Sequence, residues 1–484
     1  MKKIATLLSL FITCAISQSA LADTSSNALI KKGEYLAQAG DCTACHTAEG
    51  GKSFAGGYVF KMPMGSIVSS NITSSKKYGI GNWTEAEFAK AVRQGVRPDG
   101  SQLYPAMPYT SYSTVTDEDM HALYAYFQSV PAVEDTPPDE GKPAAKTRLL
   151  FPFNLPGLMR VWNFMFVSDK PFTPSPDLTP EQNRGKYLAE GLGHCSTCHT
   201  PRNQLMAEDN SQFLAGAAVD GWLAPNITSD KVSGIGGWSN AELVSYLKNG
   251  HAEGKGQAGG PMADAVEHSF SHLTDSDLAD IAAYLKTVPA KQTTGVTQTS
   301  WSASRAEPIG WTSYEPGTGA NNAAGYRESS QTDGALLYDS SCAACHGANG
   351  QGTDDHTFPS LTHNSAVGSH DPANLVMTIV AGIHRKGADG EVLMPAFGVQ
   401  QQDIHSWLTP AQIAVVANYV TEEFGHGNAH LTEDEVNKIT SGEPDSPFLI
   451  RYAKTLAIAG FILAALVIAS LLAFWVKKRK TIKA

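Results

Sequence analysis

The chemistry-bearing residues of this chain fall into three copies of one pattern. Cys42-Thr43-Ala44-Cys45-His46, Cys195-Ser196-Thr197-Cys198-His199 and Cys342-Ala343-Ala344-Cys345-His346 each read C-x-x-C-H. Two thiols three residues apart share one helical turn, so they can add across the two vinyl groups of one haem. The next residue then brings an imidazole under the iron. Covalent attachment holds the ring in a domain too small to bury it by packing alone. Disulfides, redox C-x-x-C pairs and zinc use the same residue types, but three vicinal pairs each followed by His match haem attachment, and zinc needs the pairs to converge. The expected cofactor is haem c, three copies, bound through Cys42, Cys45, Cys195, Cys198, Cys342 and Cys345. His46, His199 and His346 are the expected axial ligands on one side of each iron.

The opposite axial position decides function. A methionine closes it, raises the potential and suits electron transfer, whereas an open position permits catalysis on a small ligand. The first motif has Met62, Met64, Met107 and Met120 in range, and an internal repeat chooses among them. A shift of 155 places Met62 on Ala217 and Met64 on Val219, but Met107 on Met262. Prolines flank these residues (Pro105, Pro108, Pro261) and stiffen the loops that present them. Met394-Pro395 follows the third motif, 48 residues after His346, against 61 and 63 in the other two. Met377 competes there, but it lies in an apolar helical stretch that reads as core. The remaining histidines, among them His121, His268, His272, His384 and His405, read as ordinary surface or hydrogen-bonded residues.

The elements that must hold these residues are mainly α. Lys32-Gly33-Glu34-Tyr35-Leu36-Ala37 before the first motif returns as Arg184-Gly185-Lys186-Tyr187-Leu188-Ala189 before the second. Asn71-Ile72-Thr73 and Gly79-Ile80-Gly81-Asn82-Trp83 return as Asn226-Ile227-Thr228 and Gly234-Ile235-Gly236-Gly237-Trp238. The third copy is more diverged, keeping Gly334-Ala335-Leu336-Leu337-Tyr338 and a closing helix from Ile413 to Val420. Capping boxes mark helix starts at Thr84/Glu87, Ser239/Glu242 and Thr409/Gln412. Thr116 and Thr274 open the closing helices. No strand ladder is evident. The two Asn-x-Thr triplets match a glycosylation sequon, but their equivalence in the repeats favours a loop role with the Asn side chain on backbone. Trp83 and Trp238 read as core beside the haem.

The expected architecture is three consecutive cytochrome c-type haem domains plus a C-terminal transmembrane helix. Residues 1–22 read as an export signal: Lys2-Lys3, an apolar run and Ala20-Leu21-Ala22 before the cleavage point, with Cys14 lost alongside. The three domains span 23–133, 182–290 and 332–427. A proline-rich linker at 134–181 contains the apolar stretch Leu149–Val167, in which Pro152 and Pro156 forbid a regular spanning helix. That stretch reads as packing between domains, with a partner subunit or the bilayer surface as the alternative. The linker 291–331 reads as a surface crossing and 428–454 as a juxtamembrane segment. Residues 455–476 are uncharged and about 33 Å long as a helix, enough to cross a bilayer. The tail 477–484 carries five basic residues, which orients it to the cytoplasm and the body to the periplasm. All 47 Asp and Glu lie between signal and span, so that body is more acidic than the chain's formal −11. Nucleic acid is excluded as a partner on that ground, and a protein with a basic docking face suits it better.

On these residues the chain resembles a known family: the tri-haem cytochrome c subunit of bacterial membrane-bound dehydrogenases. These are the quinoprotein alcohol dehydrogenases and the flavin-linked gluconate, sorbitol and fructose dehydrogenases. The resemblance covers 30–427. It rests on the three ordered motifs, Ser70 to Thr73 with Gly79 to Thr84, Leu103 to Tyr112, Gly260-Pro261-Met262-Ala263, His268 and Leu273-Thr274-Asp275. It implies an electron-transfer subunit at the inner membrane, partnered by a PQQ or FAD catalytic subunit that oxidises an alcohol, sugar or sugar acid. Electrons would pass to ubiquinone. It also implies that Met107, Met262 and Met394 are the axial methionines and that the chain itself has no catalytic residue. Two alternatives stay open at this point: a haem enzyme such as a peroxidase or small-molecule reductase, and the cytochrome c subunit of a terminal oxidase.

Overall fold

A computed structural model describes residues 26–134, 146–168, 170–302, 330–354, 357–398, 408–427, 429–442 and 446–482. The expected export signal and His405 lie outside them.

Each C-x-x-C-H motif follows a helix that is crossed by a later one. The first helix covers 26–39 and its partner is Asp117–Ser129. In the second repeat Pro180–Tyr187, extended by a wide turn at Leu188–Leu192, meets Asp275–Leu285. In the third unit Gly334–Ser341 meets Pro410–Phe424. One glycine makes each crossing close enough. A Cβ on Gly33 would stand 2.0 Å from Ala122 O, one on Gly185 1.9 Å from Asp280 O, and one on Gly334 2.6 Å from Tyr419 Cβ. The closing helices start where their caps say: Thr116 accepts from Asp119 N, Thr274 from Asp277 N, and Thr409 forms a full capping box with Gln412.

Between the crossing helices lie a third helix and short hairpins. The third helices are Glu85–Gln94, Asn240–Asn249 and Ala373–Ala381. The hairpins correct the expectation of no strand pairing. Val59–Met62 pairs antiparallel with Gly65–Val68, which also takes Arg148–Leu149 from the linker. Ala217–Val219 pairs with Trp222–Ala224, and His251–Ala252 with Gly256–Gln257. Ile383–Gly387 pairs with Gly390–Met394. The strands are two to five residues long, too short for a visible alternation of polar and apolar residues. The turn was readable: Asp220 and Gly221 both have positive φ (47° and 85°), the Asp-Gly signature of a tight hairpin.

One buried apolar cluster runs through both repeats, from Leu36 and Phe127 to Leu188, Leu243 and Ile281. A second, around Leu337, Val416, Val420 and Phe424, belongs to the third unit. The juxtamembrane segment joins it. Helix Glu433–Thr440, opened by a Thr432/Glu435 capping box, buries Val436 there. The linker after the second repeat does more than cross the surface. Trp301 packs edge-on against Trp238 at 5.8 Å, under the Lys255 ammonium.

The chain ends in helix Ala453–Ile482. Its stretch Ala453–Trp475 has mean hydropathy 2.7 and none of it is buried, so its length and composition suit a membrane span.

Candidate haem-attachment sites

The three motifs form short helices in which the cysteine pair and the histidine sit within one and a half turns. Cys42–His46 is entered through Asp41 at φ 51°, and the second motif through His194 at φ 37°. These are equivalent positions, so both repeats bend the chain left-handedly just before the first thiol. All six thiols are free and half-buried. Burial pushes Cys42, Cys45, Cys195 and Cys342 up to about 12, so they stay protonated.

The histidines share one arrangement. His46 Nδ1 lies 2.7 Å from Ser70 O, His199 Nδ1 2.7 Å from Pro225 O, and His346 Nδ1 2.9 Å from Pro359 O. A carbonyl only accepts, so the ring proton sits on Nδ1 and the Nε2 lone pair is bare. This is how a protein aims an imidazole at a metal. Burial lowers all three pKa values, keeping the rings neutral. Of the other histidines named above, His121 pairs with Glu85, His384 with Glu391 and His272 with the Glu267 carbonyl.

The loops behind these anchors are built alike. Asn71 Oδ1 accepts from Thr73 N and Oγ1, while its amide donates to Val133 O. Asn226 repeats the set with Thr228 and Lys291 O. Both asparagines are buried, so they serve the loop, as their equivalence suggested.

The candidate methionines sit in three different settings. Met107 lies in a turn, its N donating to Tyr104 O and its carbonyl accepting from Tyr109 N. Met262 is near the start of helix Pro261–His268. Both pack, half-buried, against the shared core. Met394 ends strand Gly390–Met394, opposite Ile383 and half-buried. Among the competitors, Met120 is buried in the core, and Met377 lies against Gly221 of the second repeat and not within its own unit's core cluster.

The first two motifs face each other. Helix Pro261–His268 packs on Cys42–His46, and Ser269 Oγ donates to Ala39 O. In return Tyr112, five residues after Met107, sets its ring 5.8 Å from His194 and donates to Gly40 O. Each repeat therefore lays its methionine-bearing segment against the other's motif.

Three buried polar atoms in or next to the first two motifs have no protein partner, Asp41 Oδ1, His194 Nδ1 and Thr197 Oγ1, and Trp238 Nε1 and Arg385 Nε are likewise unpaired elsewhere. Such orphans are expensive unless another group meets them. Burial, with the Asp264 carboxylate adding, pushes Asp41 up to about 8. A haem brings an apolar ring and two carboxylates, and this donor set with its bare Nε2 atoms fits one. Sequence reading missed Arg385, whose partners lie more than a hundred residues away, and the three anchoring carbonyls, which are backbone and carry no sequence mark.

The cytochrome c family pattern matches residues 182–289 and 331–422. The pattern described as cytochrome c oxidase, cbb3-type, subunit III matches 28–127. A fructose dehydrogenase cytochrome subunit from Gluconobacter japonicus is 41% identical over 93% of this chain and 91% of its own length. A gluconate 2-dehydrogenase cytochrome c subunit from Pantoea cypripedii is 38% identical, covering 88% and 93%. The cytochrome c subunit of alcohol dehydrogenase (quinone) from Gluconacetobacter polyoxogenes is 38% identical, covering 90% and 89%. The oxidase pattern thus touches one segment, whereas the dehydrogenase subunits align along nearly the whole chain.

Proposed function

The chain belongs to the cytochrome c subunits of dehydrogenases, electron-transfer proteins with covalent haem c, and from that premise we propose a three-haem relay. Its donor is a PQQ- or FAD-bearing catalytic subunit that oxidises an alcohol, sugar or sugar acid. Its acceptor is ubiquinone. Haem c supplies reversible one-electron storage at each site.

The chain's own residues do the rest. Cys42 and Cys45, Cys195 and Cys198, and Cys342 and Cys345 fix the three rings. His46, His199 and His346 offer Nε2 from one face, held by Ser70, Pro225 and Pro359. Met107, Met262 and Met394 would hold the group from the opposite side, excluding water and small ligands. Sites filled in this way would need little reorganisation for the one-electron chemistry that haem c supplies. The mutual packing of the first two motifs shortens the path between them. The C-terminal helix spans the inner membrane, with the haem domains on the periplasmic side.

The shared anchoring of the three motif imidazoles carries this reading. Mass spectrometry of the mature chain should show three added haem masses. An optical titration of the native protein with carbon monoxide should leave all three sites unchanged. Fewer than three porphyrins, or rapid stoichiometric binding to one site, would overturn it.

A further inference from the structure

The second repeat and the third unit meet where their two candidate methionines arrive. Helix Pro261–His268, which carries Met262, packs on strand Ile383–Gly387, and Ile383 is paired opposite Met394. The hairpin of the second repeat enters the same junction. Its tip sets Gly221 against Met377 Sδ and Ile439 O. Its second strand is clamped to helix Ala373–Ala381: Asn374 Oδ1 accepts from Leu223 N at 2.8 Å, and Asn374 Nδ2 donates to Leu223 O at 2.9 Å.

Trp222, between those two contacts, lays its indole on the backbone that leads to Met262. A Cβ on Gly260 would stand 2.3 Å from Trp222 Cε2, and one on Gly259 2.9 Å from Trp222 Cζ3. Gly259 also faces the third unit, since the same Cβ would lie 3.6 Å from Ile383 Cγ1. The ring, the approach to Met262 and the cross-strand partner of Met394 therefore come together at Gly259-Gly260.

The first repeat shows that packing alone does not ask for this. Ser70 and Pro225 hold the equivalent histidines His46 and His199, and three residues before each lie Ile67 and Trp222. The 155-residue offset places Gly259-Gly260 on Tyr104-Pro105. The first repeat, whose hairpin pairs with the linker instead, keeps side chains at both places. The second gives up both, with Gly260 at φ 51°, to admit an indole. Glycine loses the most chain entropy on folding, so the exchange is costly for a residue that only fills space.

Electronic coupling between two redox groups falls exponentially with distance, and falls faster across a gap than through packed atoms. A broad aromatic ring at the junction of the two methionine segments fills that gap. We propose that Trp222 bridges the second and third sites, its indole carrying the coupling between the haems fixed at Cys195/Cys198 and at Cys342/Cys345. This deepens the proposed function, since it rests on the three-haem reading. One electron passes, so that one haem is oxidised as the other is reduced. No bond forms or breaks, no proton moves, and the indole ends as it began.

The test uses the full chain with its haems, poised half-reduced. A ruthenium photoreductant on Ala335→Cys, an exposed position seven residues before Cys342, adds an electron at the third site. Its redistribution is followed in the haem absorbance. Trp222→Leu should slow the redistribution several-fold and leave all three midpoint potentials in place. Trp222→Phe should give an intermediate rate, and it decides the matter if the leucine variant does not fold. Met377→Ala loosens the same junction but keeps the ring, so its rate should match that of the unsubstituted protein. An unchanged rate in the Trp222 variants, equal slowing in Met377→Ala, or slowing accompanied by shifted potentials overturns the proposal. Haem mass is counted on the same samples. Three haems with an unchanged rate fail the bridge alone, whereas fewer than three fail the three-haem reading itself.

Discussion

Tyr187 of the second repeat donates its hydroxyl to Asp119 of the first at 2.6 Å, and the mirror contact joins Tyr35 to Asp277 at 2.5 Å. Each hydroxyl also accepts from a cap backbone N–H, at Thr116 and Thr274. Each carboxylate keeps a cation from its own repeat: Lys32 at Asp119, and Arg184 in two parallel bonds at Asp277. The two repeats therefore clasp each other through an approximate two-fold, the same symmetry that sets their motifs face to face.

The two halves of that clasp should differ in strength. Tyr187→Phe leaves buried Asp119 with one lysine contact, whereas Tyr35→Phe leaves Asp277 with a bidentate arginine. A buried acceptor stripped of its donor costs about 1–3 kcal/mol. Tyr187→Phe should therefore destabilise more than Tyr35→Phe, read as the drop in thermal midpoint of the intact protein. The reverse order would mean that the arginine fork contributes less than the lysine.

The same contact gives a pH dependence. Burial raises the Asp277 carboxyl, but hydrogen bonds from Arg184 and Tyr35 outweigh it and hold the group below the usual carboxylate range. A carboxyl depressed in the folded state stabilises fully above its unfolded value, and that stability is lost as pH falls through the folded value. Denaturation midpoints should thus decline in the acid range below about pH 4, the ordinary Asp value. Arg184→Met should flatten that decline. An identical acid profile in the variant would remove Asp277 as its source.

The three crossing glycines should tolerate alanine unequally. At Gly33 and Gly185 the new methyl would meet a backbone carbonyl at 2.0 and 1.9 Å, which cannot yield without moving a helix. At Gly334 it would meet Tyr419 Cβ at 2.6 Å, a less severe overlap, with the nearest backbone atom, Val415 O, at 3.2 Å. Overpacking costs about 1–3 kcal/mol, so Gly33→Ala and Gly185→Ala should sit at the upper end and Gly334→Ala at the lower. Thermal unfolding with the haem spectrum as probe checks the ranking.

What could be read from sequence was local. The caps at Thr84, Ser239 and Thr409 lie where the S/T-x-x-E/Q spacing put them, because both partners sit within one turn. The C-x-x-C-H motifs and the Asn71/Asn226 loops were legible for the same reason, with the repeat as a second witness. Contacts closed by distant chain were not. Nothing near Trp238 marks Trp301 as its neighbour, and nothing near Ile383–Gly387 says that this hairpin enters the second repeat. Helix Leu158–Phe166 was obscured by Pro152 and Pro156 just ahead of it. Its two faces appear only once Tyr109 occupies one of them.

Arg385 is the sharpest case of such a contact. It is fully buried, with donors on Ala258 O and Gln257 Oε1, and the Asp389 carboxylate acts on its charge. Its side chain fills the space over Gly250, the place that Tyr109 fills over Gly95 in the first repeat. The repeats thus differ in one respect: a neutral ring in the first, and a guanidinium lent by the third unit in the second. Arginine stays charged even when buried, and a positive charge there disfavours the oxidised, more positive iron. Ala258 is four residues before Met262, so the charge acts on the second site. Arg385→Met should lower one of the three midpoint potentials and leave the other two in place, and Arg385→Lys should restore part of the shift. Spectroelectrochemical titration of the intact protein reads this directly. Three unmoved potentials would reduce Arg385 to a packing residue between the second and third units.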